Sequence, residues 1–308
     1  MKSFIFCLLL FLFWLLFINS CFSQNSSDTS YHRLIKFPLL MINHTNYSNT
    51  SFSMDSKNGK IDESETFASI QVAIPLKKKK TYLFNNMAYQ LSKYNIRTES
   101  GGSEHSNFHT IKFNIGFIFV LPSKWTIAIN GIPNCSSDFK TSLNSDDFRY
   151  YVSAFARKRA NTNCAYGFGL AYASYVAYFE HALIVPLFSI TYKQNRYTTR
   201  MVLPSFIHQS FELNPKTELG INLGVNSNMF NMTYPNNTTG FDLNSLNETK
   251  FYIEPTFQRK LFGDIYLNFS LGYNVKRTIQ IQDNEFKNEA DLDINNKYYY
   301  RIGVVLLK

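Results

Sequence analysis

The stretch Ile265-Tyr266-Leu267-Asn268-Phe269-Ser270-Leu271-Gly272-Tyr273-Asn274-Val275-Lys276 decides the fold. Its odd positions are Ile265, Leu267, Phe269, Leu271, Tyr273 and Val275. Its even positions are Tyr266, Asn268, Ser270, Gly272, Asn274 and Lys276. A helix would scatter these two sets around its circumference, whereas a strand puts each on its own face. The same period returns in 219–225, 111–119 and 166–172, where Gly, Asn, Ala or Lys separates large apolar residues.

Runs of about ten residues with this alternation, joined by turns, are the pattern of a transmembrane antiparallel up-and-down β-barrel. A soluble β-sandwich also alternates. Its strands, however, are usually nearer five or six residues, and its outer face is rich in Lys, Glu and Thr. The expected fold is therefore all-β and a barrel, with the sandwich as the alternative. Composition agrees, since 29 Phe and 20 Tyr stand against 13 Gly and 9 Pro. Mean hydropathy is only −0.19. That balance suits a wall that is apolar toward lipid, polar toward a lumen and girdled by aromatics.

The N-terminus reads as an export signal. Lys2 precedes an unbroken apolar run from Phe4 to Ile18, and Cys21 and Ser23 supply the small residues that cleavage before Gln24 requires. The run is short of the ~20 residues a spanning helix needs. Ile18-Asn19-Ser20-Cys21 also spells an imperfect lipobox, with Asn19 out of pattern, so acylation of Cys21 stays open. The expected organisation is a signal peptide over 1–23 and one barrel domain over 24–308, addressed to the outer membrane.

Connections alternate in length. Long polar stretches lie at 48–64, 95–108, 132–147, 233–249 and 282–296, and short ones at 77–80, 122–124, 158–163, 214–216 and 261–263. Outer-membrane barrels have short periplasmic turns and longer outer loops. Parity is consistent only if the chain also turns near Pro204, a residue excluded from central ladder positions. The barrel then has about 12–14 strands, 14 fitting best. The closing Arg301-Ile302-Gly303-Val304-Val305-Leu306-Leu307-Lys308 resembles the terminal signal read by the barrel-assembly machinery, with Lys308 departing from the usual final apolar residue.

Three phrases recur as strand, Pro, turn: Ile74-Pro75 with Lys77–Lys80, Leu121-Pro122-Ser123-Lys124, and Leu203-Pro204-Ser205. With the leader ending Phe22-Ser23-Gln24, they make the chain similar to uncharacterised outer-membrane β-barrel proteins of Bacteroidota. That resemblance implies an address and an architecture, with no catalytic residues to carry over.

Candidate chemistry is sparse. No catalytic, cofactor-binding or metal residue is nominated. Asp146, His109, His181 and His208 could serve a hydrolytic site, but no Gly-x-Ser-x-Gly phrase frames a nucleophile. His105 and His109 straddle a loop and a strand, which is not a metal spacing. Asp291-Leu292-Asp293-Ile294-Asn295 opens like a calcium loop, yet Asn296 and Ile302 occupy positions that need Gly and Glu. Asp283, Glu285, Glu289, Asp291 and Asp293 therefore read as a solvated loop. Cys135 and Cys164 fall at opposite ends of the strand between them, too far apart for a disulfide, so both are expected as thiols. Sequons at Asn25, Asn43, Asn46, Asn49, Asn231, Asn236, Asn237 and Asn247 follow from a chain rich in Asn and Ser.

Lys112, Arg149, Arg157, Glu218, Glu254, Lys276 and Arg301 are expected to face inward, either as a stabilising ladder or as the lining of a weakly charge-selective pore. The net charge of +9 is diffuse apart from Lys77–Lys80 and comes with no nucleic-acid motif. Outer-membrane lipid and lipopolysaccharide are the expected partners, with the barrel-assembly machinery during biogenesis. A non-enzymatic structural or passive channel role follows, without cofactor. A lipid- or peptide-hydrolysing barrel and a soluble periplasmic or surface binding protein are the alternatives.

Overall fold

The computed structural model describes residues 38–54, 57–77, 80–98, 103–176, 181–232, 245–282, 288–294 and 297–307. Residues 1–37, with the segment expected to be a signal peptide, lie outside them. The strands are β1 (Pro38–Met54), β2 (Lys57–Lys77), β3 (Thr81–Thr98), β4 (Ser103–Val120), β5 (Trp125–Ser137), β6 (Phe148–Arg159), β7 (Cys164–Val176) and β8 (His181–Gln194). They continue as β9 (Tyr197–Leu203), β10 (Phe206–Asn214), β11 (Thr217–Asn231), β12 (Ser245–Phe262), β13 (Ile265–Gln282), β14 (Asn288–Ile294) and β15 (Tyr298–Leu307).

From β1 to β13 each strand pairs antiparallel with the next. β14 and β15 are collinear: both pair with β13 on one side and with β1 on the other. They form one stave, so the barrel has fourteen. Pairing of β1 with β15, from Leu40↔Leu306 to Tyr47↔Tyr299, closes it. One continuous sheet closed on itself excludes the sandwich. The chain turns at Pro204-Ser205, as parity required.

The outward face carries the apolar set. Ile70, Val72 and Ile74 on β2, Phe113, Ile115 and Phe117 on β4, and Ile302 and Val304 on β15 are all exposed. Large apolar side chains facing out from a closed barrel belong against hydrocarbon. Aromatics flank this band. Tyr89, Tyr150 and Tyr172 lie toward the upper rim, where the chain crosses at 138–147. Phe119, Tyr197 and Phe262 lie at the lower rim, where every described turn is short.

Strand length departs from expectation. A tilted strand crosses hydrocarbon in about 9–11 residues, yet β2 has 21 and β3, β4, β12 and β13 have 18 each. The described part of the polar stretch 48–64 is strand, the paired ends of β1 and β2. Most of 95–108, the first part of 132–147, the end of 233–249 and the backbone of 288–294 are likewise strand. These segments alternate without an apolar outer set because they stand above the membrane: Lys60, Lys93 and Arg97 face water there, and Arg97 pairs with Asp62 at 3.0 Å. The acidic side chains of 283–293 lie outside the described residues.

Above the band the barrel narrows. β6–β10 are shorter, and the top of β11 swings across to pair with β5 in parallel at Asn231↔Ser137. The Asp138 amide donates to the Asn231 carbonyl at 3.2 Å. A 3₁₀ turn at Ser145–Asp147, capped by Asn144, locks the crossing, and Asn231 Nδ2 donates to Asp147 Oδ1 at 3.0 Å. Nine staves, β1–β5 and β11 to β14, continue upward as a smaller barrel.

Candidate functional site

The interior is built in tiers. At the top, Phe52, Ile61, Tyr94, Phe108, Phe230, Leu246, Ile279 and Ile294 form one buried apolar cluster. They come from eight different staves, one from each of β1–β4 and β11–β14. Phe108 and Phe230 stack at 4.8 Å, and the Tyr94 ring meets them edge-on at 5.7 and 6.2 Å. The Asn/Ser-rich stretch 48–64 thus sends Phe52 and Ile61 inward as part of a lid.

Beneath it lies an ionic tier. Glu63 and Glu65 of β2, Glu248 and Lys250 of β12 and Arg277 of β13 are all buried. Lys250 Nζ reaches Glu65 at 2.9 Å and Glu248 at 2.8 Å, and also pairs with Glu63. Arg277 pairs with Glu63 and, at 2.6 Å, with Glu248. Tyr94 donates its hydroxyl to Glu248 at 2.9 Å, and Lys250 sits 4.0 Å over the Tyr47 ring. The three carboxylates have oxygens within 4.8 Å of one another, as a metal site would. Here those oxygens are already bonded to Lys250 and Arg277, so the cluster is a salt-bridge network. Removing one member of such a network exposes its partners' uncompensated charge, at a cost of about 3–5 kcal/mol.

A third group sits lower. Arg301 Nη1 pairs with Glu254 at 2.9 Å, and Tyr299 donates to Glu254 at 2.6 Å. Gly272 opposes Tyr299 across the β13–β15 ladder. A Cβ at Gly272 would stand 2.0 Å from Tyr299 Cζ, so only glycine lets that ring lie flat along the wall.

The opposite wall is basic. Lys112 of β4, Arg149 and Arg157 of β6 and Arg200 of β9 face the lumen. Among the described residues no carboxylate lies within ion-pair distance of Lys112 or Arg157. Arg157 Nη2 and Arg200 Nε are buried without a hydrogen-bond acceptor. Arg149 donates to the carbonyl of Phe148 at 2.9 Å and to Met229 Sδ at 3.3 Å, spanning the pinch between β6 and β11. Three cavities succeed one another down the lumen. One of about 330 Å³ lies beneath the lid beside Lys112 and Arg149, one of about 300 Å³ beside Arg200 and Arg301, and one of about 370 Å³ at the lower rim beside Lys193 and Lys216.

Of the residues expected to face inward, Lys112, Arg149, Arg157, Glu218, Glu254 and Arg301 do so. Lys276 does not. The β12–β13 register slips between Phe251↔Lys276 and Tyr252↔Asn274, leaving Val275 as the extra residue of a bulge. Alternation flips there, so Lys276 is exposed and Arg277 is buried. Glu63, Glu65, Glu248, Lys250 and Arg277 were missed. Three of them, Glu63, Glu248 and Arg277, lie in stretches read as connections or beyond that bulge, and nothing local marks any of the five as partners.

The candidate hydrolytic residues are not brought together. His109 meets Tyr89 Oη at 2.7 Å on the outer face of β4. His208 of β10 contacts Asn222 inside the lumen. Asp146 belongs to the 3₁₀ turn, and the side chain of His181 lies outside the described residues. Cys135 near the top of β5 and Cys164 at the foot of β7 form no disulfide. Of the sequon positions, Asn247 is buried and Asn231 is held by Asp147, so neither offers room for a glycan. Asn25, Asn236 and Asn237 lie outside the described residues.

Among solved structures, an outer membrane channel from Pseudomonas putida F1 is similar at a TM-score of 0.45 and 10% identity, over 91% of this chain and 100% of that one. The Pseudomonas putida toluene transporter TodX is similar at 0.38 and 8%, over 91% and 94%. The translocator domain of the autotransporter NalP from Neisseria meningitidis is similar at 0.36 and 12%, over 94% and 91%. Among curated proteins no sequence matches. The family model described as a domain of unknown function, DUF6268, matches residues 22–305, and the chain belongs to that family.

Proposed function

We propose that the chain is a non-enzymatic outer-membrane barrel that passes small solutes passively and favours anions. The observation that carries this reading is the asymmetry of the lumen. On one wall the carboxylates are paired in salt bridges, whereas on the other Lys112, which lines the uppermost cavity, and Arg157 have no carboxylate within ion-pair distance among the described residues. Fixed cations along a narrow passage attract anions and repel cations. The lid of apolar side chains closes the straight route through the top.

The apolar outer band with its flanking aromatics, together with the export-signal pattern of residues 1–23, supports the address. Lipid and lipopolysaccharide are the proposed partners around the band, and the barrel-assembly machinery during insertion. Planar-bilayer recording in a salt gradient tests the function. The expected result is a reversal potential of anionic sign that moves toward the cationic side in Lys112→Glu/Arg157→Glu. A folded protein without conductance, or with cation preference, overturns the proposal.

A further inference from the structure

The cavity beneath the lid has a side opening. β8 pairs with β9 only from Gln194↔Tyr197 to Phe188↔Leu203, and β11 pairs with β10 only as far as Gly224↔Phe206. Above the turn at Pro204-Ser205, the edge of β8 over 182–187 and the edge of β11 over 225–230 therefore have no strand between them among the described residues. The crossing of β11 to β5, with the 3₁₀ turn, roofs this notch. The 330 Å³ cavity is lined by Asn226 and Asn228 from the inner face of β11 and by Val225 and Ser227 from its outer face. A cavity that touches both faces of one strand passes around that strand's open edge. Among the described residues no strand closes the lumen at that edge.

The chemistry of the two sides differs. β8 is apolar on both faces beside the notch. Ile184 and Pro186 face out and are exposed, while Leu183, Val185 and Leu187 face in, opposite Ala173, Ala171 and Gly169 of β7. These inward residues are only half-buried, so the lumen holds an apolar strip continuous with the lipid-facing band. Lys112 and Asn134 line the cavity itself. Asn134 is 7% exposed, and its buried Oδ1 has no donor. Lys112 has no carboxylate within ion-pair distance among the described residues. A cation without a direct ion-pair partner and an unmet acceptor in a buried cavity are costly unless a ligand completes them.

We infer that the notch is a lateral entrance for a single-chain anionic amphiphile, its chain laid on Leu183, Val185 and Leu187 and its head group held by Lys112. Asn134 Oδ1 accepts a proton-bearing group of the head or of a water beside it. β4 and β8 are four strands apart, which is about 19 Å along the wall and less across its curve. That span matches an extended chain of roughly a dozen carbons. The inference rests on the passive-transport reading and names the class of solute.

The test is retention of radiolabelled dodecanoate, dodecanol and butyrate by the detergent-solubilised barrel immobilised on resin. Folding of each variant is checked by heat-modifiable gel migration. Dodecanoate is expected to bind about tenfold or more tightly than either dodecanol, which lacks the charge, or butyrate, which lacks the chain. Lys112→Met brings dodecanoate down to the level of dodecanol and leaves dodecanol unchanged. Ser227→Trp, at the mouth of the notch, slows dodecanoate uptake. Equal binding of acid and alcohol by the native chain overturns the inference, as does equal weakening of both by Lys112→Met. If Lys112→Met fails to fold, the comparison on the native chain decides alone. Anion-selective conductance without dodecanoate binding rejects this inference and leaves the channel reading intact. Binding without conductance rejects the channel reading instead.

Discussion

Phe108 on β4 and Phe230 on β11 stack with ring centroids 4.8 Å apart, although six staves of the barrel wall separate their strands. Two residues so distant around the circumference can touch only where the barrel has pinched. The stack therefore marks the point at which a fourteen-stave barrel becomes a nine-stave one with a solid interior.

Truncating that stack should both weaken and open the lid. Phe230→Ala is expected to cost about 3–5 kcal/mol, the range for a buried Phe, read as a lower urea midpoint of the barrel in vesicles. Single-channel conductance should rise in the same variant. Unchanged conductance with lowered stability would mean that the remaining lid residues still close the bore.

The ionic tier should behave as a unit. Lys250→Met leaves Glu63, Glu65 and Glu248 facing Arg277 alone and should destabilise by about 3–5 kcal/mol. Adding Glu63→Gln removes one of the stranded charges, so the double variant should be more stable than Lys250→Met by itself. Urea titration of both variants gives the coupling, and additive losses would count against a shared network.

Gly272 should tolerate no side chain. A methyl there would collide with the Tyr299 ring, so Gly272→Ala is expected to lose about 1–3 kcal/mol and to free Glu254 from the Tyr299 hydroxyl. Pairing it with Tyr299→Ala should recover part of the loss. A Gly272→Ala protein with native thermal stability in the heat-modifiability assay would refute the fit.

Cys135 and Cys164 should both be found as thiols. Non-reducing peptide mapping is expected to show no Cys135–Cys164 crosslink. A maleimide should modify half-exposed Cys135 ahead of buried Cys164 in the folded barrel, and both after denaturation.

Where lipid imposes a pattern, the sequence was readable. Residues facing hydrocarbon must be apolar, so Ile265–Val275 and its counterparts announce strands, even parity and the turn at Pro204. Above the membrane that constraint lapses. Ser, Asn and Asp then occupy the outer face of the β1–β2 hairpin, and strand looks like loop. The ionic tier was hidden for another reason. Glu63 and Arg277 are 214 residues apart, and their meeting depends on closure of the whole sheet. Lys276 was misplaced because one bulge at Val275 reverses every later side chain, and bulges leave no period to detect.

The lid gives one polypeptide two interiors held by different forces. In the band, apolar side chains face outward and gain nothing by leaving lipid for each other. In the nine-stave extension they face inward and are driven together by water. Cooling, urea and kosmotropic salts should therefore act chiefly on the upper storey, while acyl-chain thickness should act on the lower. The molecule can loosen at its summit without leaving the bilayer, as a small water-soluble domain would on a membrane-anchored base.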